Sequence, residues 1–475
     1  MSEQGKPQEN RARAARTDLT QGSPARSLLL FAFPLILGNL FQQFYNMADS
    51  MIVGNFVSED ALAAVGASYA LTTVFIMIAI GGGNGASVLT SQYLGAGNYR
   101  RMRTSVSTAL LTFLVLSIVL AAVGLLFNHE ILVLLKTPDN ILEQAELYLG
   151  IYFLGLPFLF MYNILASMFN AMGDSRTPLF LLIFSSLLNV ALDIISVTWL
   201  AMGVDGVAIA TVIAQGISAV LALFILLGRL RSYGRMEEAG EKAGDKADGT
   251  MPDRAPLFDR SMLWTGTKIA IPTILQQSIV SIGMLLVQSV VNEFGSGALA
   301  GYSAASRIES ICIVPMIATG NAVATFTAQN IGAGKLDRVR RGYRASYGII
   351  AVFAVVIAVI LALFNEPIIS GFLGGEPSPE ALDTGTGYLS FIGYFVFLLG
   401  AKSCSDGVLR GAGDMVVFTL GNLVNLTIRV TAAFYFAPIV GVAAVWYVVP
   451  AGWLANYSIS FARYLSGRWK KKRVI

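Results

Sequence analysis

GNGASVLTSQYLGAGNYRRMR, residues 83–103, returns 237 residues later as GNAVATFTAQNIGAGKLDRVR, residues 320–340, with nine identities. Among them are Gln92 and Gln329, the GAG turns at 95–97 and 332–334, and Arg101 and Arg338. Pro34 pairs with Pro272 at a shift of 238, and NAMGD (170–174) with RGAGD (410–414) at 240. A chain of 475 residues that repeats at half its length is two copies of one unit. The unit is apolar: 55% of the chain is hydrophobic and 13% charged, a composition of a membrane protein rather than a soluble one.

A helix needs about 20 apolar residues to cross a bilayer. Runs of that kind fall near 28–55, 61–90, 104–127, 145–169, 178–199, 204–230, 263–292, 298–328, 345–365, 385–408, 416–437 and 440–464. These twelve predict an all-α polytopic membrane protein of two six-helix lobes. Six is even, so both lobes enter from the same side. They are then related by a pseudo-two-fold axis along the membrane normal, one of the repeat classes of secondary transporters.

Charge orients the chain. With the N-terminus in the cytoplasm, inner segments hold every Lys and Arg except five. Lys136 falls outside, and Lys268, Arg307, Lys402 and Arg429 lie within spans. That bias follows the positive-inside rule and places both termini in the cytoplasm of a plasma membrane. The expected organisation is a basic tail (1–26), an N-lobe (27–230), a charged linker (231–262), a C-lobe (263–466) and a second basic tail (467–475). The net charge of +4 is therefore a topology signal and not a nucleic-acid footprint.

Several chemistries are excluded. His129 is the only histidine, which removes paired-histidine mechanisms and His-rich metal sites. Cys312 and Cys404 sit in apolar runs and imply no disulfide framework. GGGNG (81–85) lacks the spacing of a phosphate-binding loop. With no nucleotide-binding domain and no cofactor motif, active transport would draw on an ion gradient. A membrane enzyme would need a nucleophile beside a base, and no such pair stands out.

Ionisable residues inside a span mark function. Asp49, Asp193, Glu309 and Asp406 qualify. Gln42, Asn46 and Asp49 are spaced i, i+4, i+7 and share a helix face, with Tyr45 beside Asp49. Pro34 removes a backbone hydrogen bond and predicts a kink. Asn189 and Asp193 share a face at i, i+4, and Thr211 adds a hydroxyl. Two carboxylates, an amide oxygen and a hydroxyl suit a hard cation or proton exchange; an interhelical hydrogen-bond network without a transport role is the plainer alternative. In the repeat, Asn189 maps to Asn425, Asp193 to Arg429 and Asp49 to Val287, so the ion site is expected in the N-lobe alone. Arg307 and Glu309 point apart, while Lys402 and Asp406, at i, i+4, are spaced to pair. Gln276, Gln277 and Gln288 are read as cavity lining or helix–helix contacts.

With these residues in place, the chain resembles the multidrug and toxic compound extrusion (MATE) transporters from 27 to 466. The resemblance rests on the two repeats, the Q-x-x-GAG turns, Pro34 before Asp49, and Asn189, Asp193 and Thr211. It implies that Asp49, Asn189, Asp193 and Thr211 hold Na⁺ or H⁺, that Tyr45 lines the N-lobe cavity, and that the Pro34 helix bends on protonation of its acid. It further implies export of small organic cations by a monomer in exchange for that ion. Gln42, Asn46, Gln288, Arg307, Glu309, Lys402 and Asp406 are then candidate substrate contacts. The seventh span lacks the acid that some members carry. A flippase for lipid-linked sugars, from the same wider superfamily, is the alternative that Arg307, Lys402 and Arg429 favour.

Overall fold

The computed structural model describes residues 18–56, 59–243, 255–374, 378–472 and 474–475, with the side chains of 47–56, 59–62, 69–70 and 238–243 outside the description. Most of the expected N-terminal tail and the centre of the expected linker lie outside the described residues. Every regular element among the described residues is helical. In the first half these are α1 (Pro24–Phe56), α2 (Glu59–Gly95), α3 (Tyr99–Leu126), α4 (Asn128–Leu134), α5 (Asp139–Ala171), α6 (Arg176–Ile194) and α7 (Val204–Ala243). The second half holds α8 (Arg260–Asn292), α9 (Ser296–Cys312), α10 (Val314–Gly332), α11 (Leu336–Leu373), α12 (Pro379–Gly393), α13 (Val396–Ala412), α14 (Met415–Val440), α15 (Ala444–Tyr447) and α16 (Val449–Leu465).

Each of the twelve expected runs lies on helix, but not every run is one straight span. Among the described residues ten helical spans are long and apolar enough to cross a bilayer, or eleven when α12 and α13, bent by 54°, count as one. The run at 440–464 is cut by Gly441, at φ 90°, and by Pro450 in the first turn of α16. Pro315 likewise opens α10 and separates it from α9. Proline has no N–H to give to the preceding turn, so each marks a helix start within an apolar run.

By internal contacts the chain divides into two compact units, one of residues 37–274 and one of 18–36 with 275–475. The boundaries fall inside α1 and α8, two residues past Pro34 and two past Pro272. In the first unit α5 is central: α2, α3 and α7 pack on it, and α6 packs on α7. The second unit uses the same scheme, with α10 on α13, α9 on α12, α13 on α16 and α14 on α16. The glycines of the opening repeat explain the closest approaches. A Cβ on Gly83 would collide with the Ser167 side chain of α5, and one on Gly320 would lie 2.6 Å from the Ser403 carbonyl of α13. GGGNG is thus a helix-packing surface. The GAG turns match as well: Gly97 and Gly334 both sit at φ 71°, a left-handed conformation that glycine takes without strain.

Each unit also carries the same buried ion pair. Asp174 Oδ2 meets Arg229 Nη1 at 2.6 Å, and Asp414 Oδ2 meets Arg463 Nε at 2.6 Å. Both acids are almost fully buried, at 0% and 1% side-chain exposure. They are the last residues of the repeated NAMGD and RGAGD. Asp174 Oδ1 also accepts from the N–H groups of Arg176 and Thr177, at 3.2 and 3.1 Å, and so caps α6. Asp174→Ala leaves Arg229 without its acid. The variant is expected to lose about 3 kcal/mol of stability, read as a lower midpoint of thermal unfolding in detergent.

The repeated arginine of the second copy has a clear structural role. Arg338 Nε donates to the Leu19 carbonyl at 3.1 Å, Nη1 to Gly22 at 2.5 Å, and Nη2 to Gln21. Lys335 Nζ adds a bond to the Thr20 carbonyl at 2.9 Å, and Asn330 Nδ2 one to Leu19 at 2.9 Å. Together they clamp the segment entering α1 onto the second unit, with Leu19 fully buried.

Candidate functional site

Three helices of the first unit bring the expected ion-site residues together. α6 carries Asn189 and Asp193 one turn apart, at 2% and 0% exposure. From α7 comes Thr211 and from α1 Tyr45. The amide of Asn189 fits with its nitrogen toward Asp193 Oδ2, at 3.2 Å, and the Tyr45 hydroxyl. Its oxygen then faces the Thr211 N–H and Oγ1, each at 3.2 Å. The Thr211 hydroxyl also lies 3.0 Å from the Val207 carbonyl of its own helix. Immediately after Asp193 the helix widens into a π-turn at Ile195–Trp199, a local departure found often at functional sites.

Asp49 lies on the α1 backbone, and its side chain is outside the described residues. Four other expected groups therefore define the geometry: a fully buried carboxylate, an amide, a hydroxyl and a phenol. Among the described residues no three His, Cys, Asp or Glu side chains gather as a metal cluster. An oxygen-donor site built around so few acids suits a monovalent cation or a proton better than a transition metal. Gln42 and Asn46 bond each other at 2.9 Å on the exposed side of α1.

The second unit carries a half-open cavity of about 260 Å³. Of the residues expected at a substrate site, Glu309, Lys402 and Asp406 line it, with Gln276 and Gln277. Gln288 and Arg307 do not; Arg307 is exposed, and Gln288 lies within 3.5 Å of Asn292 on its own helix. Lys402 and Asp406 do pair, at 3.2 Å. Asp406 is further held by Ser460 Oγ at 2.6 Å, Asn422 Nδ2 at 3.3 Å and Asn456 Nδ2 at 3.4 Å. Lys402 also donates to Asn422 Oδ1 at 2.9 Å. This carboxylate ties α13, α14 and α16 together. Glu309 accepts a hydrogen bond from the Tyr388 hydroxyl at 2.5 Å, and Arg410 donates to Asn321 at 2.5 Å. Arg410 and Asn425 are cavity residues that the sequence reading did not place there, and Arg429 is one it weighed only for the flippase alternative; the repeat, which sets Asn425 and Arg429 against Asn189 and Asp193, was the available signal.

Comparison with known proteins agrees with this architecture. The MatE family model matches residues 34–195 and again 272–435. The chain is 31% identical over 459 residues to the probable multidrug resistance protein YpnP of Bacillus subtilis, covering 96% of this chain and 98% of that one. It is 24% identical to the probable multidrug resistance protein NorM of Thermotoga maritima, over 95% of this chain and 94% of the relative. A FAD transporter of Shewanella oneidensis is 25% identical over 85% of this chain and 83% of its own. Among solved structures, the outward-facing conformation of a multidrug resistance MATE family transporter of the MOP superfamily superposes with a TM-score of 0.83 at 22% identity, over 95% of this chain and 97% of that chain. The shared fold is that of an all-α, two-lobed, multi-pass membrane protein.

Proposed function

The chain belongs to the MatE family, and on that premise we propose that it is a secondary active antiporter that exports small organic molecules, drugs among them, in exchange for Na⁺ or H⁺. The observation that carries the reading is the gathering of Tyr45, Asn189, Asp193 and Thr211 from three helices around a fully buried carboxylate. A buried acid is costly in a membrane and is retained where it moves ions or protons. Asp49 shares the site in this reading, one turn beyond Tyr45 on the same helix.

Coupling requires that ion and substrate favour different states. A proton arriving at Asp193 removes its negative charge and a cation compensates it, so in either case the bonds from Asn189 weaken and the contacts among α1, α6 and α7 change. Pro34, where the α1 backbone lacks a hydrogen bond, is the natural point of bending. Relatives named as multidrug resistance proteins support the substrate class. We place the protein as a monomer in the plasma membrane with both termini in the cytoplasm.

The test is efflux of a fluorescent organic cation from proteoliposomes, first under a Na⁺ gradient and then under a pH gradient. Acceleration by one gradient is expected and identifies the ion. Indifference to both would favour the second reading, a flippase for lipid-linked sugars, which Lys402, Arg410 and Arg429 in the second unit's cavity support.

A further inference from the structure

Lys268 is a charge within a span that neither site takes up. It stands on α8 eight residues past Arg260, about 12 Å along the helix axis. Its side chain is exposed, and among the described residues no carboxylate pairs with it. Its ammonium lies 5.2 Å from the centre of the Trp264 ring, one turn back. The surface around it is apolar: Trp264 is 61% exposed and Ile271, one turn on, 50%. In the repeat, Leu30 holds the place of Lys268 at the 238-residue shift that pairs Pro34 with Pro272. The scaffold therefore accepts an apolar residue there, and folding does not call for the cation.

Beside Lys268 the first unit carries a half-open groove of about 160 Å³, formed by α2, α3 and the first turns of α8. Thr267 and Ile271, one residue before Lys268 and three after it, line the groove with Leu89, Phe113, Leu116 and Met262. Its hydroxyls are already engaged. Thr112 and Thr267 donate to carbonyls of their own helices, at 2.7 and 2.8 Å. Ser105 bonds Thr90 at 2.9 Å, and Thr108 accepts from the Asp259 N–H at 3.0 Å. The groove thus offers hydrocarbon contact and little to a polar ligand. A molecule that fits groove and rim together has a long apolar chain and an anionic head. Arg260, Trp264 and Lys268, spaced i, i+4, i+8, put two cations and an aromatic ring along that rim. A lysine inside a span turns its ammonium toward the membrane interface, and an aromatic ring beside it anchors there.

We infer that this groove and its rim bind an anionic phospholipid of the surrounding bilayer, with an acyl chain in the groove and the phosphate at Lys268 and Arg260. A zwitterionic lipid carries its own cation beside the phosphate and gains less from the rim. One basic residue near an anionic lipid surface is worth about a fivefold preference. The site needs the membrane alone and is independent of the export reading.

Trp264 is the reporter. The full-length protein is placed in phosphatidylcholine vesicles that contain a small fraction of lipid with brominated acyl chains, which quench nearby tryptophan. The brominated lipid is phosphatidylglycerol in one series and phosphatidylcholine in the other. The Trp264 signal is the difference between each protein and the same protein with Trp264→Phe. For wild type, brominated phosphatidylglycerol is expected to quench at a severalfold lower fraction. Lys268→Gln should bring the two lipids close to equality, and Lys268→Arg should keep the preference. A Cβ on Gly266, in the groove, would meet nothing within 4 Å, so Gly266→Phe should fill the groove without disturbing the packing and should also abolish the preference. Thermal unfolding in detergent checks that each variant is folded. Equal quenching by the two lipids in wild type overturns the inference, and so does a preference that survives Lys268→Gln or Gly266→Phe. Loss of the wild-type preference on adding soluble glycerol phosphate also overturns it, because the rim would then take a free phosphate and the groove no chain.

Discussion

Asp193→Asn is expected to abolish gradient-driven efflux while leaving the fold intact. The side chain is fully buried and meets the Asn189 amide, and asparagine keeps its shape while losing its charge. For a monovalent cation about 4 Å away at an effective dielectric near 20, that charge is worth about 4 kcal/mol. Each 1.4 kcal/mol is about tenfold in affinity, so ion binding should weaken by roughly a thousandfold. Proteoliposomes would report efflux under Na⁺ and pH gradients, with thermal unfolding in detergent as the control for folding. Efflux equal to wild type under either gradient would remove Asp193 from the coupling site. Asp49→Asn is expected to behave in the same way, and a mutant that stays coupled would confine the ion to α6 and α7.

Asp406→Ala is expected to have the largest effect on stability. Its carboxylate accepts from Lys402, Asn422, Asn456 and Ser460, all with little exposure. Removing one member of a buried ion pair costs about 3–5 kcal/mol, since the other charge is left uncompensated. The midpoint of thermal unfolding should fall clearly. Replacing both partners, Lys402→Met with Asp406→Leu, should recover much of the loss, because an apolar pair leaves no stranded charge. A neutral Asp406→Ala would show that the pair does not hold the second unit together.

Both sites were partly legible in the sequence. Spacing alone put Asn189 and Asp193 on one face, paired Lys402 with Asp406, and aligned the two copies. The period of a helix carries that information within one element. Contacts between distant elements carry no such mark. Tyr388 reaches Glu309 across 79 residues and Arg463 reaches Asp414 across 49, and no local pattern announces either. The interruptions between α9 and α10 and between α15 and α16 were also hidden, because apolar residues continue through them; only Pro315 and Pro450 were there to be read. Arg307 is exposed and does not line the cavity that Glu309, two residues further on, lines, which their i, i+2 spacing allowed the sequence to show.

The paired latches, Asp174 with Arg229 and Asp414 with Arg463, are the feature that the two units build alike. Asp174 and Asp414 align at a shift of 240, and each meets an arginine from a later helix of its own unit. Other equivalent positions are unlike: Asp193 stands against Arg429, and Tyr45 against Gly283. What the two units share here is the pair that holds each one together, and what differs is the polar group each sets at the equivalent point of its scaffold.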